Sequence, residues 1–512
     1  MARQHPIVSS REPGDSSRYF VNPYFDDADR CNKEEGSKHV ESQSAGSSAT
    51  TITASTTSVA GASPPISSQK IPPLMNSTES LECIWQLFRK CQSGCEEDYR
   101  NLLHERQIRQ QEALYDYYGS LYRGALGARV FLPWKLATTV YRSTADQDGS
   151  PYNYLLEQVA LPCVNEAMEA VNAIDVAGTS FHRKMMRRVT LLESPWVGAT
   201  VMHIVIHHEL AKRKDATETT SRASALAEKL VQVCDPLHFP REECDVLYGR
   251  AGAIQAILFL RQAIPGDRTE ELTTDCVLTL ARDIIAEGQR YAASQRPNIE
   301  LPLLWKWHDT HYLGAAHGVV GILHTLLCLS PQELSILNEE FDIHNKIQQT
   351  IKALYDKYCW PSGNLDSSIK DPRYHRHQRV DRLVHWCHGA TGHVLLLMKA
   401  YEVYKDIKYM QRAAQIADNV LWKRGLLKKG VGLCHGISGN AYALQAVGRY
   451  ENRAVTTRRV HAFARFALEH LSSLENVPDD PYSLYNGLAG FCTLLIDVLM
   501  YDAYARFPLY DY

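Results

Sequence analysis

Two cysteine–histidine pairs hold the strongest chemistry in this chain. Cys387-His388-Gly389-Ala390-Thr391-Gly392 and Cys434-His435-Gly436-Ile437-Ser438-Gly439 share one pattern: Cys-His-Gly, then a second glycine three residues after the first. Thiolate and imidazole are both zinc ligands. If the two turns meet, Cys387, Cys434 and one imidazole, His435 or His388, supply three ligands. A catalytic zinc with three protein ligands keeps its fourth position open. Buried structural cysteine is the plainer reading of either thiol alone. The matching flanks on both copies favour the metal. Lys428-Lys429 lie just before the second pair, which makes Lys429 an anion-binding candidate beside it.

These pairs belong to a longer series. Gly-x-x-Gly followed by an apolar run occurs at Gly124, Gly249, Gly318, Gly389, Gly436 and Gly487, in steps of 125, 69, 71, 47 and 51 residues. The long first step holds a decayed copy, Leu192-Glu193-Ser194-Pro195-Trp196-Val197-Gly198, so seven copies are counted. A step of 47 to 71 residues holds two helices and their loops. The helix after each turn is apolar on nearly every side, as in Val394-Leu395-Leu396-Leu397-Met398, and should be buried. The charged stretches between copies, such as Asp406 to Asp418, should lie outside. No alternating strand pattern stands out. The expected fold is all-α: a seven-fold, double-layered α/α toroid with inner and outer rings of helices. An open solenoid is the alternative, but it needs polar capping repeats, and the last copy is as apolar as the middle ones.

In a closed ring every Gly-x-x-Gly turn faces the same end. The residues before the glycines then line one pocket: His317, Cys387 with His388, Cys434 with His435, and Tyr485 with Asn486. His317 is read there as a proton-handling residue or as a hydrogen-bonded pocket histidine.

Bulk properties narrow the function. The chain has 512 residues, 45% of them hydrophobic, and a net charge of −3, so no global basic field points to nucleic acid. Its 13 cysteines are scattered without a CxxC pair, which suits reduced thiols in the cytoplasm. The start, Met1-Ala2-Arg3-Gln4-His5-Pro6, lacks an apolar signal core and the glycine that N-myristoylation needs. No apolar run is long enough to span a bilayer, although peripheral membrane contact stays open. Residues 1–80 read as a separate N-terminal segment before the helical body at 81–512. From Glu41 to Lys70, 14 of 30 residues are Ser or Thr, which predicts disorder. Ser17-Arg18-Tyr19-Phe20-Val21-Asn22-Pro23-Tyr24 is an exception whose aromatics predict docking on the folded body.

The chain resembles the eukaryotic LanC-like (lanthionine synthetase C-like) family. The resemblance rests on Leu247-Tyr248-Gly249-Arg250-Ala251-Gly252, Gly314-Ala315-Ala316-His317-Gly318, His385-Trp386-Cys387-His388-Gly389, and Gly425-Leu426-Leu427-Lys428-Lys429-Gly430 through Cys434-His435-Gly436. Arg18 with Asn22-Pro23-Tyr24 and the C-terminal Ala505-Arg506-Phe507-Pro508 match as well. The resemblance implies zinc held by Cys387, Cys434 and His435, so it selects His435 over His388. It implies that Arg18 and Lys429 hold the carboxylates of glutathione and that His317 has the acid/base role. It implies transfer of glutathione to dehydroalanine or dehydrobutyrine residues in proteins or peptides. Asn476 and Asn486 depart from the pattern: animal relatives have a basic and an acidic residue there. Two other functions are open to the same residues. One is a glutathione- and zinc-binding adaptor with little turnover. The other is an α/α-barrel glycosidase, which needs paired carboxylates; Asp381 and Glu193 are the nearest acids.

Overall fold

Each apolar run after a Gly-x-x-Gly turn forms a buried helix in the computed structural model, which describes residues 18–24, 77–106, 117–175, 189–212, 228, 230–231, 234, 239–369, 380–451, 453–499 and 505–512. The Ser/Thr-rich stretch expected from Glu41 to Lys70 lies outside the described residues, as does Ser17. The inner helices are Gly127–Phe131 continued by Leu132–Val140, Pro195–Ala211, Arg250–Ala263, Val319–Leu327, Ala390–Tyr404, Ile437–Gly448 and Leu488–Leu499. Every residue from Ala390 to Ala400 is buried, as an all-round apolar pattern requires. The helices between them are amphipathic and form the outer layer, among them Ser77–Arg106, Leu161–Asp175, Asp267–Ser294, Ile343–Tyr358, Ile407–Ile416 and Arg453–Glu469.

Backbone hydrogen bonds from turn to turn close the ring. Tyr122 N–H donates to Leu192 O, Leu191 to Gly252, Val246 to Ala316, Ala315 to Trp386, Trp386 to Cys434, Cys434 to Tyr485, and Tyr485 back to Tyr122, at 2.8–3.3 Å. Seven turns are thus joined head to tail with no open end, so the solenoid alternative is excluded. The second turn, which lost its first glycine, has a shifted link. Its Leu191 reaches the second glycine of the next turn, and its Thr190 hydroxyl donates to Leu247 O at 2.7 Å.

The second glycine of every turn but the decayed second one is explained by space. A Cβ on Gly321 would stand 1.9 Å from Ala315 O, and one on Gly439 would stand 1.9 Å from Leu433 O. The carbonyl six residues back lies across the helix start, and only a hydrogen fits between. Among the first glycines, Gly389 takes a φ of +115°, a conformation that L side chains rarely adopt.

The described C-terminal residues occupy the middle of the ring. Phe507 stacks on Trp386, with ring centres 5.9 Å apart, and Tyr485 donates its hydroxyl proton to Pro508 O at 2.9 Å. One short antiparallel pair, His311–Tyr312 with Ser368–Ile369, departs from the helical expectation. Two residues per strand are too few to show alternation in a sequence. No single helix among the described residues is long and apolar enough to cross a membrane.

Candidate metal centre

The fifth and sixth turns meet through the Trp386 N–H donating to Cys434 O at 2.8 Å. That contact brings one donor atom from each of Cys387, Cys434 and His435 within 4.8 Å of the others. Gly314 on the fourth turn allows the packing: a Cβ there would lie 1.9 Å from Cys387 O. Donors sharing one tetrahedral zinc stand ~3.5–3.8 Å apart, from Zn–S and Zn–N distances near 2.3 and 2.0 Å. A small side-chain rotation therefore suffices, and the donor set fits zinc by its chemistry.

The two sulfurs are shifted in opposite directions. Cys387 is pushed well above the ordinary thiol value by its hydrogen bond with Cys434 and by burial. Burial also acts upward on Cys434. Hydrogen bonds from Cys387, His435 and Tyr122 outweigh it and hold Cys434 well below the ordinary value. Cys434 is thus the thiolate of the pair, the form that binds a metal. The Tyr122 hydroxyl donates to its sulfur at 2.7 Å. Tyr122 escaped sequence reasoning. A signal existed: Tyr122, Cys434 and Tyr485 each stand two residues before the first glycine of their turns.

Two further imidazoles border the cluster. His385 is buried and held well below the ordinary histidine value, by burial first and then by its neighbours His435, Lys429, His388 and Arg18. His388 is pushed down to about 4, chiefly by burial, with His317, Lys429 and His435 adding to the effect. Both are neutral at pH 7. Their perturbers also locate the predicted residues: Arg18 and Lys429 act on His385, and His317 acts on His388.

Arg18 reaches the site on a docked segment. Tyr19 pairs with Leu427 in an antiparallel bridge, Phe20 N–H donates to Leu426 O at 2.8 Å, and Lys428 N–H donates to Arg18 O at 3.0 Å. Asn22 is buried and donates its amide to Trp422 O at 2.6 Å, while the Phe20 ring packs 5.0 Å from Phe466. Arg18 and Lys429 stay exposed.

His317 stands one turn away from Cys387. Its ring stacks on Trp307 at 3.8 Å, inclined by 11°, and lies parallel to Tyr248 at 5.5 Å. Its Nδ1 is 3.5 Å from Asp245 Oδ1, without a hydrogen bond between them, and that oxygen accepts the Leu247 and Tyr248 N–H groups. Trp307 and Asp245 were not singled out from sequence, because neither precedes a glycine turn directly.

The remaining candidates are placed as follows. Asn486 is buried and donates to Asp480 Oδ2 at 2.9 Å, and Asn476 is exposed. Asp381 is tied to Arg424 at 2.9 Å and to Ser362 and Asn364. Glu193 lies 3.9 Å from Arg123. They do not form a pair of facing catalytic carboxylates. A cavity of about 470 Å³ lies at the other end of the ring, lined in part by Lys135, Arg142, Glu209, Lys212, Arg506 and Asp511. Its cations are matched by acids, Lys135 by Asp497 and both Arg142 and Lys212 by Glu209, so the metal cluster is the better candidate site.

Comparisons with known proteins agree on one family. The model for the lanthionine synthetase C-like protein family matches residues 119–511. Glutathione S-transferase LANCL1 of Danio rerio is 31% identical over 342 residues, 66% of this chain and 78% of that protein. LanC-like protein GCL1 of Arabidopsis thaliana is 36% identical over 272 residues, 52% of this chain and 57% of that protein. Among solved structures, nisin cyclase aligns with a TM-score of 0.49 at 13% identity, covering 80% of this chain and 94% of that one.

Proposed function

The chain belongs to the lanthionine synthetase C-like family, and on that premise we propose that it is a zinc-dependent transferase adding glutathione to dehydroalanine or dehydrobutyrine residues of proteins or peptides. The observation that carries the reading is the convergence of Cys387, Cys434 and His435 at the turn end of the ring, with Arg18 and Lys429 acting on the same spot. The relative named as a glutathione S-transferase supports the choice of glutathione.

Cys387, Cys434 and His435 would hold the ion. Zinc there would supply Lewis acidity, which lowers the pKa of a coordinated thiol. The chain's own residues do the rest. Arg18 and Lys429 pair with the carboxylates of the tripeptide and orient its thiol, which turns a chance encounter into a positioned one. The thiol sulfur bonds to the β-carbon of the dehydroamino acid, and a proton must reach the α-carbon. His317 is the residue proposed to carry that proton, since histidine suits proton transfer near neutrality. The Asp245 carboxylate stands 3.5 Å from its Nδ1, and Trp307 fixes the ring plane. The compartment proposed is the reducing cytoplasm, because the 13 cysteines follow no disulfide pattern and thiolates must be kept to bind the metal.

The test is mass spectrometry of a dehydroalanine peptide incubated with glutathione and the protein, with and without chelator. The transferase reading expects a thioether adduct above background that disappears with chelator and in Cys387→Ala. Zinc and glutathione binding without adduct on several such peptides would instead establish the adaptor.

A further inference from the structure

A second cysteine–histidine pair lies at the far end of the ring. His324 and Cys328 are one helical turn apart at the end of the helix Val319–Leu327, whose start carries the fourth turn. Cys328 Sγ is 3.7 Å from His324 Nδ1, and His324 Nε2 is 3.4 Å from Asp511 Oδ1. The fully buried imidazole stacks on Tyr510 at 4.2 Å; Cys328 as a residue is partly exposed, while its thiol points inward to His324. Three cations hold the carboxylate: Lys399 at 3.1 Å and Arg506 at 3.2 Å on Oδ1, and Arg449 at 3.0 Å on Oδ2. Glu402 pairs with the same three. The three donors lie close enough together to bind a metal. Lys399, Arg449 and Arg506 already take both oxygens of Asp511, however, so the carboxylate is engaged and poorly placed to hold an added cation. An anion at sulfur meets attraction.

We propose that Cys328, with His324 and Asp511 behind it, is a thiol modification site that reacts with hydrogen peroxide. The Cys328 thiolate attacks one peroxide oxygen. The S–O bond forms and the O–O bond breaks. Sulfur is oxidised by two electrons to a sulfenic acid that keeps the hydroxyl proton of the attacked oxygen, and the other oxygen leaves as hydroxide, which takes the His324 proton and becomes water. Asp511 orients the imidazole and stabilises its charged form, and Lys399 and Arg506 favour the anionic sulfur.

The same protein contains a natural control. Cys359 Sγ is 3.8 Å from His393 Nδ1, nearly the same contact, and Cys359 is also partly exposed. No described carboxylate stands behind His393, whose Nε2 is buried without a hydrogen-bond partner. Burial pushes both thiols up. At Cys328 the charges of His324 and Lys399 outweigh it and leave the thiol below its ordinary value, whereas Cys359 stays up at about 12. The two pairs thus share the sulfur–imidazole contact and differ in the carboxylate and cations behind the imidazole.

The whole folded chain, with zinc present, is treated with substoichiometric hydrogen peroxide and the sulfenate trap dimedone. Adducts are then mapped by peptide mass spectrometry. Cys328 should be labelled at least about tenfold faster than Cys359, as expected of a thiolate over a protonated thiol. His324→Gln should slow Cys328 labelling about tenfold and leave Cys359 unchanged. Equal rates at the two cysteines in the natural chain overturn the proposal. So does a folded His324→Gln variant that labels like the natural chain. Where His324→Gln does not fold, the Cys328-to-Cys359 ratio decides alone.

Discussion

The hydroxyl of Tyr122 donates a hydrogen bond to Cys434 Sγ at 2.7 Å across 312 residues of sequence. It ties the first turn of the ring to a proposed metal ligand on the sixth, and the backbone of the seventh turn lies between them, bonded to both. Ring closure is thus part of the site. Tyr122→Phe removes only the oxygen. It should leave the fold intact and weaken zinc affinity about 10- to 100-fold, the usual cost of losing a partner of a metal ligand. Competition with a chromogenic chelator measures this. Unchanged affinity would remove Tyr122 from the account.

Metal binding itself is checked by Cys434→Ala. This variant should retain no stoichiometric zinc by elemental analysis. The helical circular dichroism spectrum should persist, because seven packed inner helices supply a core that a zinc finger lacks. Full zinc occupancy in the variant, or global unfolding of the zinc-free protein, contradicts the assignment.

The docked segment should matter to ligand binding through its anchor as well as its charge. Asn22→Ala deletes the buried amide that bonds to Trp422 O and frees the turn that holds Tyr24. Loss of such a buried bond costs about 1–3 kcal/mol. Calorimetry should show weaker glutathione binding in both Asn22→Ala and Arg18→Ala. A loss in Arg18→Ala alone would mean that docking does not position the guanidinium.

Gly439→Ala probes the turn that carries Cys434. The added methyl would overlap Leu433 O at 1.9 Å, and that carbonyl belongs to the tight turn that carries Cys434, which cannot move aside cheaply. Destabilisation of about 1–3 kcal/mol is expected from such overpacking, together with reduced zinc content. Denaturant melts matching the natural protein would show that the turn has slack.

Acid sensitivity follows from His393. Burial, aided by Arg412, pushes it down to about 4, below the ordinary value of about 6.5. The unfolded chain therefore takes up the proton first as pH falls. Stability from this group is full above about 6.5 and is lost progressively down to the folded value near 4, by about 3 kcal/mol at most. His393→Leu keeps an apolar side chain there and removes the titration. Urea midpoints at pH 7 and pH 4.5 should fall further in the natural chain than in the variant; equal falls would assign the sensitivity elsewhere.

The sequence by itself determined the periodicity, and with it the architecture. Glycines at fixed spacing before all-apolar helices leave little choice of where those helices lie, since a helix apolar on every side must be inside. It also marked Cys387, Cys434, His388 and His435, because ligand residue types beside repeated glycines are a local pattern. It left the imidazole undecided between His388 and His435 until a family resemblance was invoked. Tertiary structure puts His435 in the cluster with both sulfurs and pushes His388, chiefly by burial, down to about 4. Only the fold could bring up Tyr122 from 312 residues away, set Asp245 and Trp307 on His317, and put Asp511 behind His324 but no described carboxylate behind His393. The physical reason is range. Helix burial follows from neighbours a few residues away, whereas a hydrogen bond or a charge acts through space, between residues that only ring closure makes adjacent.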